Sequence, residues 1–206
     1  MEKRLPNQKY QKIIEAAIKV FAKKGFYNAK VSDVAKQAEV ADGTIYLYFK
    51  NKDDLLISIF ENSMDDFFNQ ASEELLTIPS PKDKLKKFME LHLKLVQKNP
   101  KLAVVLQLEL RSSHKFMQEY KAEKFFEYLR LIEDIIIEGQ EQNVFQNDIN
   151  PQIAKRVIFG AIDELALEWV LMNSKRYSLE EAAEQLFTII FSGIKHKEEK
   201  WKLPSC

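Results

Sequence analysis

The chain has little of what builds hairpins, disulfides or membrane spans. Its 206 residues include five glycines, six prolines and a single cysteine, Cys206. So few turn-forming residues disfavour a hairpin-rich fold, and a lone cysteine cannot form an intrachain disulfide. No uninterrupted apolar run approaches the roughly 18 residues of a membrane-spanning helix, and no charged-then-apolar leader opens the sequence. We therefore expect a cytoplasmic protein that does not contact the membrane.

Helix-forming residues dominate what is present. The composition is 46% hydrophobic and 30% charged, which is enough apolar material for a buried core. Leu, Ile, Glu, Lys, Gln and Ala fill the long periodic segments, and these residues favour helices. The sequence therefore predicts an all-α fold of about nine helices.

The formal net charge of zero hides two unlike parts of the chain. Residues 1–53 contain 11 Lys+Arg and 6 Asp+Glu, a balance of +5, whereas residues 54–206 contain 20 and 25, a balance of −5. A basic end is typical of a chain that binds a polyanion such as DNA there. A solvated lysine-rich helix face would produce the same count, so charge leaves both interpretations open.

Three short helices are predicted before residue 51. Asn7 caps the first, which Gly25 ends, and Ser32 caps the second. Asp42 or Gly43 caps the third, with the sequence TIYLYFK. A helix of seven residues is marginal alone, so we expect the first two helices to support it by packing.

The third predicted helix has an inner and an outer side. At 100° per residue, Ile45 and Phe49 point together towards the core. The outward set is Gly43, Thr44, Leu47 and Tyr48, with Tyr46 on the flank. Hydroxyls and an apolar body suit a DNA major groove, so residues 32–50 are interpreted as a helix-turn-helix with this recognition helix. The alternative is a three-helix cap whose aromatic residues are all core.

The rest of the chain forms a larger helical part. Asn51 caps a long fourth helix that ends near Pro79 and Pro81, and five helices follow. Their predicted ranges are 82–98, 102–112, 119–142, 152–172 and a last helix that starts at Ser178, with Glu181 completing a capping box. We predict a DNA-binding domain at 1–52 and a ligand-binding and dimerisation domain at 53–206, connected by the fourth helix.

Helices eight and nine are apolar on more than one side, which indicates a second partner. We therefore expect them to pair with their symmetry copies in an isologous homodimer. The residues predicted for this interface are Ile158, Ile162, Leu165, Trp169, Leu186, Phe187 and Ile190. Two recognition helices roughly 34 Å apart would then bind a palindromic operator.

The run VSDVAKQAEVADGTIYLYFKNKDDLL, preceded by AAIKVFAKKGF, closely resembles the signature of the tetracycline-repressor (TetR) family of bacterial transcription regulators. The resemblance covers about the first 60 residues and implies a homodimer with an amino-terminal DNA-binding domain and a helical ligand domain. It implies that the residues at the DNA are Thr44, Tyr46, Leu47 and Tyr48, with Asp42 and Gly43 at the groove edge and Lys52 on a phosphate.

Two residues depart from the family pattern. Glu39 replaces the usual glycine of the turn, which costs about 1 kcal/mol if that position needs positive φ. Lys30 stands where a threonine is common, so a charge would replace a hydroxyl contact to phosphate. Together with Ser32, Lys30 is counted among the DNA-binding residues.

Fourteen phenylalanines and five methionines would line an elongated apolar cavity or pack as an ordinary core, the commoner outcome.

The chain also resembles one branch of the family, the fatty-acid-degradation repressors of Bacillus-type bacteria that respond to long-chain acyl-coenzyme A. The resemblance rests on VADGTIYLYFKNKDDLLIS, AVVLQLELRSS and FGAIDELALEWVLM. The resemblance implies that ligand as effector, without any cofactor. A sibling branch with another apolar ligand, as in drug efflux or stress, remains an alternative. The candidate ligand-binding residues are Phe60, Met64, Phe67, Leu91, Leu95, Leu106, Gln107, Leu110, Arg111, Phe125, Tyr128, Leu129 and Ile162, with Arg111 placed at the polar head.

Two other classes of protein were considered. A metal enzyme could use Asp163, Glu164 and Glu168, but the Glu-x-x-His pairs of a di-iron bundle do not occur. There is no phosphate loop, nucleophile elbow or Cys/His metal spacing, so we predict no catalytic residue and no metal site. His92 lies among apolar residues and is interpreted as a core histidine. A helical protein-binding adaptor is the other alternative, and it predicts no salt-sensitive affinity for DNA.

Overall fold

The computed structural model describes residues 8–110, 113, 115–116, 123–172 and 176–196. The α-helices within these ranges are α1 (Gln8–Lys24), α2 (Val31–Ala38), α3 (Asp42–Tyr46), α4 (Lys52–Leu75), α5 (Pro81–Lys98), α6 (Pro100–Val104), α7 (Glu123–Glu141), α8 (Pro151–Leu171) and α9 (Leu179–Ile194). A π-helical turn, Val105–Glu109, continues α6 without a break. These ranges contain no strand, only an isolated bridge between Phe145 and Lys195. The predicted all-α fold is confirmed.

Local capping signals set most helix starts. The side chains of Asn51 and Ser178 accept hydrogen bonds from the backbone N–H groups of Asp54 (2.8 Å) and Glu181 (3.0 Å), as predicted. Ser80 caps α5, and Pro81 occupies the first helical position instead of lying outside the helix. Gly25 ends α1 with φ of 77°, a backbone conformation that glycine adopts without strain.

Two predicted caps are wrong. Helix α2 begins at Val31, so Ser32 lies inside the helix, and the Asp33 carboxylate accepts instead from the backbone N–H of Lys30 (3.0 Å). Helix α3 has Ala41 at its N-cap and no side-chain cap. Such a short helix is held by packing on α2, which makes a capping side chain unnecessary.

One continuous core runs through the chain. Helix α1 packs on α2 and also on α4, α6 and the π-helical turn, so the first three helices lie directly against the larger part. In the larger part α5 packs on α9, and α7 packs on α8. No helix among the described residues is long and apolar enough to cross a membrane.

The prediction of the dimer interface is wrong for four residues. Side chains of Ile158, Ile162, Leu186 and Phe187 are buried within the single chain, because α8 packs on α5 and α7 while α9 packs on α5. The remaining three, Leu165, Trp169 and Ile190, are only partly buried against the core. The exposed apolar side chains of these two helices are instead Ile153, Val157, Leu171 and Ile189.

Gly139 of α7 gives the following chain room to fold back. The backbone N–H groups of Val144 (2.8 Å) and Phe145 (3.0 Å) donate to the Gly139 carbonyl, and the buried Phe145 ring lies on the glycine. A Cβ added at Gly139 would stand 1.9 Å from Phe145 Cδ2. Close-packed interiors have no space for such an overlap.

We predict that Gly139→Ala lowers the free energy of unfolding by at least about 2 kcal/mol, as expected for overpacking. In a Phe145→Ala background the clash is removed, so the same change should be neutral or stabilise the helix by up to about 1 kcal/mol. Urea unfolding of the wild type, both single variants and the double variant measures the cycle. Equal effects of Gly139→Ala in the two backgrounds would disprove the steric explanation.

Candidate DNA-binding and ligand-binding sites

Helix α3 ends at Tyr46, earlier than the predicted helix TIYLYFK, but residues 42–49 still have the predicted inner and outer sides. Ile45 and Phe49 are buried, whereas Leu47 is 72% exposed and Thr44 is partly exposed. Tyr46, expected on the flank, is 57% exposed. Tyr48 is half-buried because its ring packs against Tyr10 and Phe49, with centroids 6.2 and 6.3 Å away.

The other candidate DNA-binding residues lie at the starts of α2 and α3. Lys30, Ser32, Asp42 and Gly43 are all exposed, and no other part of the described chain comes within 4 Å of the position of a Cβ on Gly43. The outer surface of α3 is therefore open to a partner, which is the requirement for insertion into a groove.

The turn between α2 and α3 is strained at Glu39. Its φ of 54° and ψ of 45° are left-handed, so the position that usually holds glycine in the family does need positive φ. We estimate a cost of about 1 kcal/mol for the side chain there. An exposed ion pair of 2.8 Å with Lys12 lowers the pKa of the Glu39 carboxyl, but such pairs offset little strain.

Lys52 has a different role from the predicted phosphate contact. Its ammonium donates to the backbone carbonyls of Phe26 (2.6 Å), Tyr27 (3.1 Å) and Ala29 (3.0 Å), and Nζ lies 4.5 Å from the Phe26 ring centroid. An ammonium group has three N–H donors, so all of them are used inside the protein. Lys52 therefore joins the start of α4 to the turn after α1.

A mostly apolar cavity of about 330 Å³ lies in the larger part of the chain. Helices α4, α5, α6, α7 and α8, together with the π-helical turn, contribute its walls. Nine predicted ligand-binding residues line it: Phe60, Met64, Phe67, Leu95, Leu106, Gln107, Leu110, Phe125 and Tyr128. The cavity thus brings together side chains as far apart in the sequence as Phe60 and Asp163.

Three predicted ligand-binding residues do not line the cavity. Leu91, Leu129 and Ile162 are buried, but each directly precedes or follows a lining residue and so points about 100° away from it. Arg111, the candidate for a polar head group, lies outside the described residues.

Sequence reasoning missed seven lining residues: His92, Val96, Leu102, Ala103, Phe116, Phe159 and Asp163. Most are apolar residues that carry no signal of their own beyond helical spacing. His92 was expected in the core, and its polar contact with Tyr128 is a tertiary feature that spacing does not indicate.

Two hydrogen bonds give the cavity wall polar character. Nδ1 of His92 lies 2.8 Å from the Tyr128 hydroxyl, and Gln107 Nε2 donates to Asp163 Oδ1 (2.9 Å). Burial lowers the pKa of His92 to about 4, with the Asp163 carboxylate opposing that shift, and burial raises the pKa of Tyr128 well above its usual value. His92 and Tyr128 are therefore neutral at physiological pH, and their mutual bond leaves one of their two protons as a donor.

A helix-turn-helix joined to a helical domain with an internal apolar cavity defines a ligand-responsive DNA-binding regulator. Residues 13–59 match the family model described as bacterial regulatory proteins, tetR family, and residues 60–193 match the YsiA-like protein, C-terminal region. The chain belongs to the TetR family of transcription regulators. Since its relatives are regulators of transcription, the prediction that it is not an enzyme is confirmed.

Several characterised relatives match nearly the whole chain. It is 39% identical to the fatty acid metabolism regulator protein of Bacillus subtilis strain 168, over 92% of this chain and 97% of the relative. The crystal structure of FadR from Bacillus subtilis in complex with stearoyl-CoA superposes with a TM-score of 0.84 at 39% identity, covering 90% of this chain and 99% of that one. FadR from Bacillus halodurans superposes with a TM-score of 0.87 at 36% identity, covering 94% and 100%.

We predict that Lys52→Met lowers the free energy of unfolding by about 1–3 kcal/mol, because three carbonyls lose a charged donor. The salt dependence of DNA binding should not change, since Lys52 releases no counterion from a phosphate. Chemical unfolding and fluorescence anisotropy at several salt concentrations measure the two quantities.

Lys30→Met is the matched control, since Lys30 is exposed and is one of the candidate DNA-binding residues. It should leave stability within about 0.5 kcal/mol and reduce the salt slope by about one. If Lys52→Met leaves the stability unchanged and reduces the salt slope of DNA binding, Lys52 contacts a phosphate as the sequence predicts.

Proposed function

We propose that this protein is a transcriptional repressor that long-chain fatty acyl-coenzyme A releases from a palindromic operator, and that it controls genes of fatty-acid degradation. The observation that carries the proposal is the apolar cavity in a chain so similar to a regulator crystallised with stearoyl-CoA. As a bacterial DNA-binding regulator the protein would act in the cytoplasm.

The cavity wall suits an acyl chain. Twelve of its sixteen lining residues are hydrocarbon, thioether or phenyl side chains, and the other four are His92, Gln107, Tyr128 and Asp163. Each buried methylene contributes about 0.8 kcal/mol, so a long chain supplies ample affinity without further polar contacts. The volume of about 330 Å³ falls at the lower end of the usual range of ligand pockets.

Cations beside the cavity support a place for the anionic head group. A surface pocket between α7 and α8 contains Arg130, Lys155 and Arg156, and the guanidinium of Arg156 lies 6.0 Å from the Phe125 ring centroid. Phe125 itself lines the cavity. Lys155 is paired with Glu133, so the two exposed arginines are our candidates for contact with the coenzyme A phosphates.

We propose that DNA is contacted by the exposed surface of α2 and α3 within a DNA-binding domain at 1–52. The proposed residues are Lys30, Ser32, Asp42, Gly43, Thr44, Tyr46, Leu47 and Tyr48. The exposure of these side chains supports the assignment. Lys52 is left out of the set, because its three N–H donors bind backbone carbonyls within the protein. The domain at 53–206 then carries the ligand and dimer functions.

Helix α4 offers a physical connection between the two sites. Its middle part supplies Phe60, Met64 and Phe67 to the cavity, while its first residue, Lys52, holds the turn after α1. A ligand that displaces the ring of Phe60 or Phe67 would reorient the DNA-binding helices and change the distance between the two recognition helices of a dimer. Ligand and operator would then weaken each other's binding, typically by 1–3 kcal/mol.

Homodimerisation through α8 and α9 is part of the proposal. The exposed side chains of Ile153, Val157 and Ile189 form apolar surface on these helices that the described residues leave open. An isologous interface of this kind gives the two-fold symmetry that a palindromic operator requires.

We predict that saturating stearoyl-CoA weakens wild-type operator binding by about 5–150-fold, the usual range of such coupling. Leu106→Trp, which puts an indole into the cavity, should need at least about tenfold more stearoyl-CoA while keeping its operator affinity. The measurement is fluorescence anisotropy of a duplex that the wild-type protein has selected from random-sequence DNA.

Leu76→Trp makes the same substitution at an exposed leucine outside the cavity and should behave as wild type. If the wild type binds its selected duplex equally well with and without stearoyl-CoA, the ligand is another apolar molecule or there is none.

We predict that the combined substitution Val157→Lys and Ile189→Lys weakens dimerisation by at least about tenfold, because two charges would lose water at the interface. Sedimentation velocity at micromolar concentration measures the effect, with the wild type as a dimer. Leu76→Lys changes another exposed leucine and should remain dimeric. A wild-type protein that sediments only as a monomer would remove the interface from the proposal.

A further inference from the structure

The segment that walls the cavity also contacts the DNA-binding helices. Within the π-helical turn and the residue after it, Leu106, Gln107 and Leu110 line the cavity, while the Glu109 carboxylate accepts a hydrogen bond of 2.6 Å from the backbone N–H of Phe26. Phe26 belongs to the turn between α1 and α2. Adjacent residues of a single helical turn thus contact the cavity on one side and the DNA-binding helices on the other.

The Glu109 carboxylate lies close to the carboxyl-terminal end of α1. Both of its carboxylate oxygens lie close to Gly25, at 3.7 and 3.9 Å from the position of an added Cβ. A carboxylate at the carboxyl-terminal end of α1 meets the negative end of the helix dipole, which is unfavourable. The Lys52 ammonium, bound to the carbonyls of the same turn, supplies the compensating charge. The contact therefore combines an unfavourable interaction with the helix dipole and a favourable one with the Lys52 ammonium.

Glu109 is the last residue of the π-helical turn. A π-helix contains one residue more per turn than an α-helix, is rare, and frequently occurs at functional sites. Residues 101–110 contain neither glycine nor proline, so no helix-breaking residue accounts for it. Reversion to α-helical geometry would rotate the following residues by about 100° and shift them by about 1.5 Å. Such a movement would break a 2.6 Å hydrogen bond at Glu109.

A second connection follows Glu109 along the chain. The buried Ser113 hydroxyl donates to the Asp53 carboxylate at the start of α4 (2.9 Å) and accepts from the backbone N–H of Phe116 (3.2 Å). Phe116 lines the cavity, and its ring lies 5.2 Å from that of Phe60. The cavity wall is therefore bonded to the turn after α1 through Glu109 and to the start of α4 through Ser113.

We propose that Glu109 is the positioning residue through which the cavity controls the DNA-binding helices. The Glu109–Phe26 bond forms in the DNA-binding conformation, and a ligand against Leu106 and Leu110 favours the α-helical register, in which the bond is broken. The inference rests on the proposed function for the identity of that ligand, stearoyl-CoA, but the bond itself is independent of that identity.

The test uses Glu109→Ala, which removes the acceptor. If the bond belongs only to the DNA-binding conformation, its loss shifts the equilibrium towards the other conformation by about tenfold. Operator binding without ligand should weaken and stearoyl-CoA binding without DNA should tighten, and the two fold-changes should multiply to about ten. A merely structural defect would weaken both. Anisotropy with the selected duplex and calorimetry with stearoyl-CoA give the two constants.

Two variants serve as references. Glu109→Gln keeps an oxygen that accepts from Phe26 and should restore most of the wild-type behaviour. Glu127→Ala, at an exposed glutamate of α7, should change neither constant. The proposal is overturned if Glu109→Ala leaves both constants unchanged or weakens both. If wild-type operator binding does not respond to stearoyl-CoA, the proposed function fails separately, and Glu109 is then judged on whether its alanine variant weakens operator binding and glutamine restores it.

Discussion

The backbone turn at residues 25–29 is held by two charged side chains from other parts of the chain. Lys52, at the start of α4, donates to three of its carbonyls, and Glu109, beside the cavity, accepts from one of its N–H groups. Backbone carbonyls and N–H groups that leave water need partners, and here both kinds of partner come from elsewhere in the chain. The orientation of α2 and α3 therefore depends on where α4 and the π-helical turn lie.

This constraint explains how a short recognition helix can keep a fixed orientation. Five residues of α3 cannot form a stable helix alone, and the buried Ile45 and Phe49 hold it on the helices beneath. The strained Glu39 turn is tolerated for the same reason, since packing fixes both of its neighbouring helices. A small rotation of the supporting helices would move the exposed Tyr46 and Leu47 as a unit.

The cavity combines apolar walls with a few satisfied polar groups. Burial keeps His92 neutral, and its bond to Tyr128 satisfies one polar atom of each side chain. Without such pairing, polar atoms in this position would oppose the entry of an acyl chain by their own desolvation. Nine of the candidate ligand-binding residues line the cavity, because periodicity identifies the inward face of each helix. The same periodicity also selected Leu91, Leu129 and Ile162, which are buried without lining the cavity. The inward face of a helix is wider than the cavity, so it also contains residues that contact only other core side chains.

The all-α class, the starts of α4 and α9, and the inner and outer sides of α3 can be inferred from sequence alone, because capping and helical periodicity act over a few residues. The amino-terminal motif also identifies the family. Three other features come from long-range packing: Lys52 holds a turn, Ile158 and Phe187 are core residues, and His92 borders a cavity beside Tyr128. Each of these depends on which helix faces which, and contacts between residues far apart in sequence leave no local pattern from which to infer them.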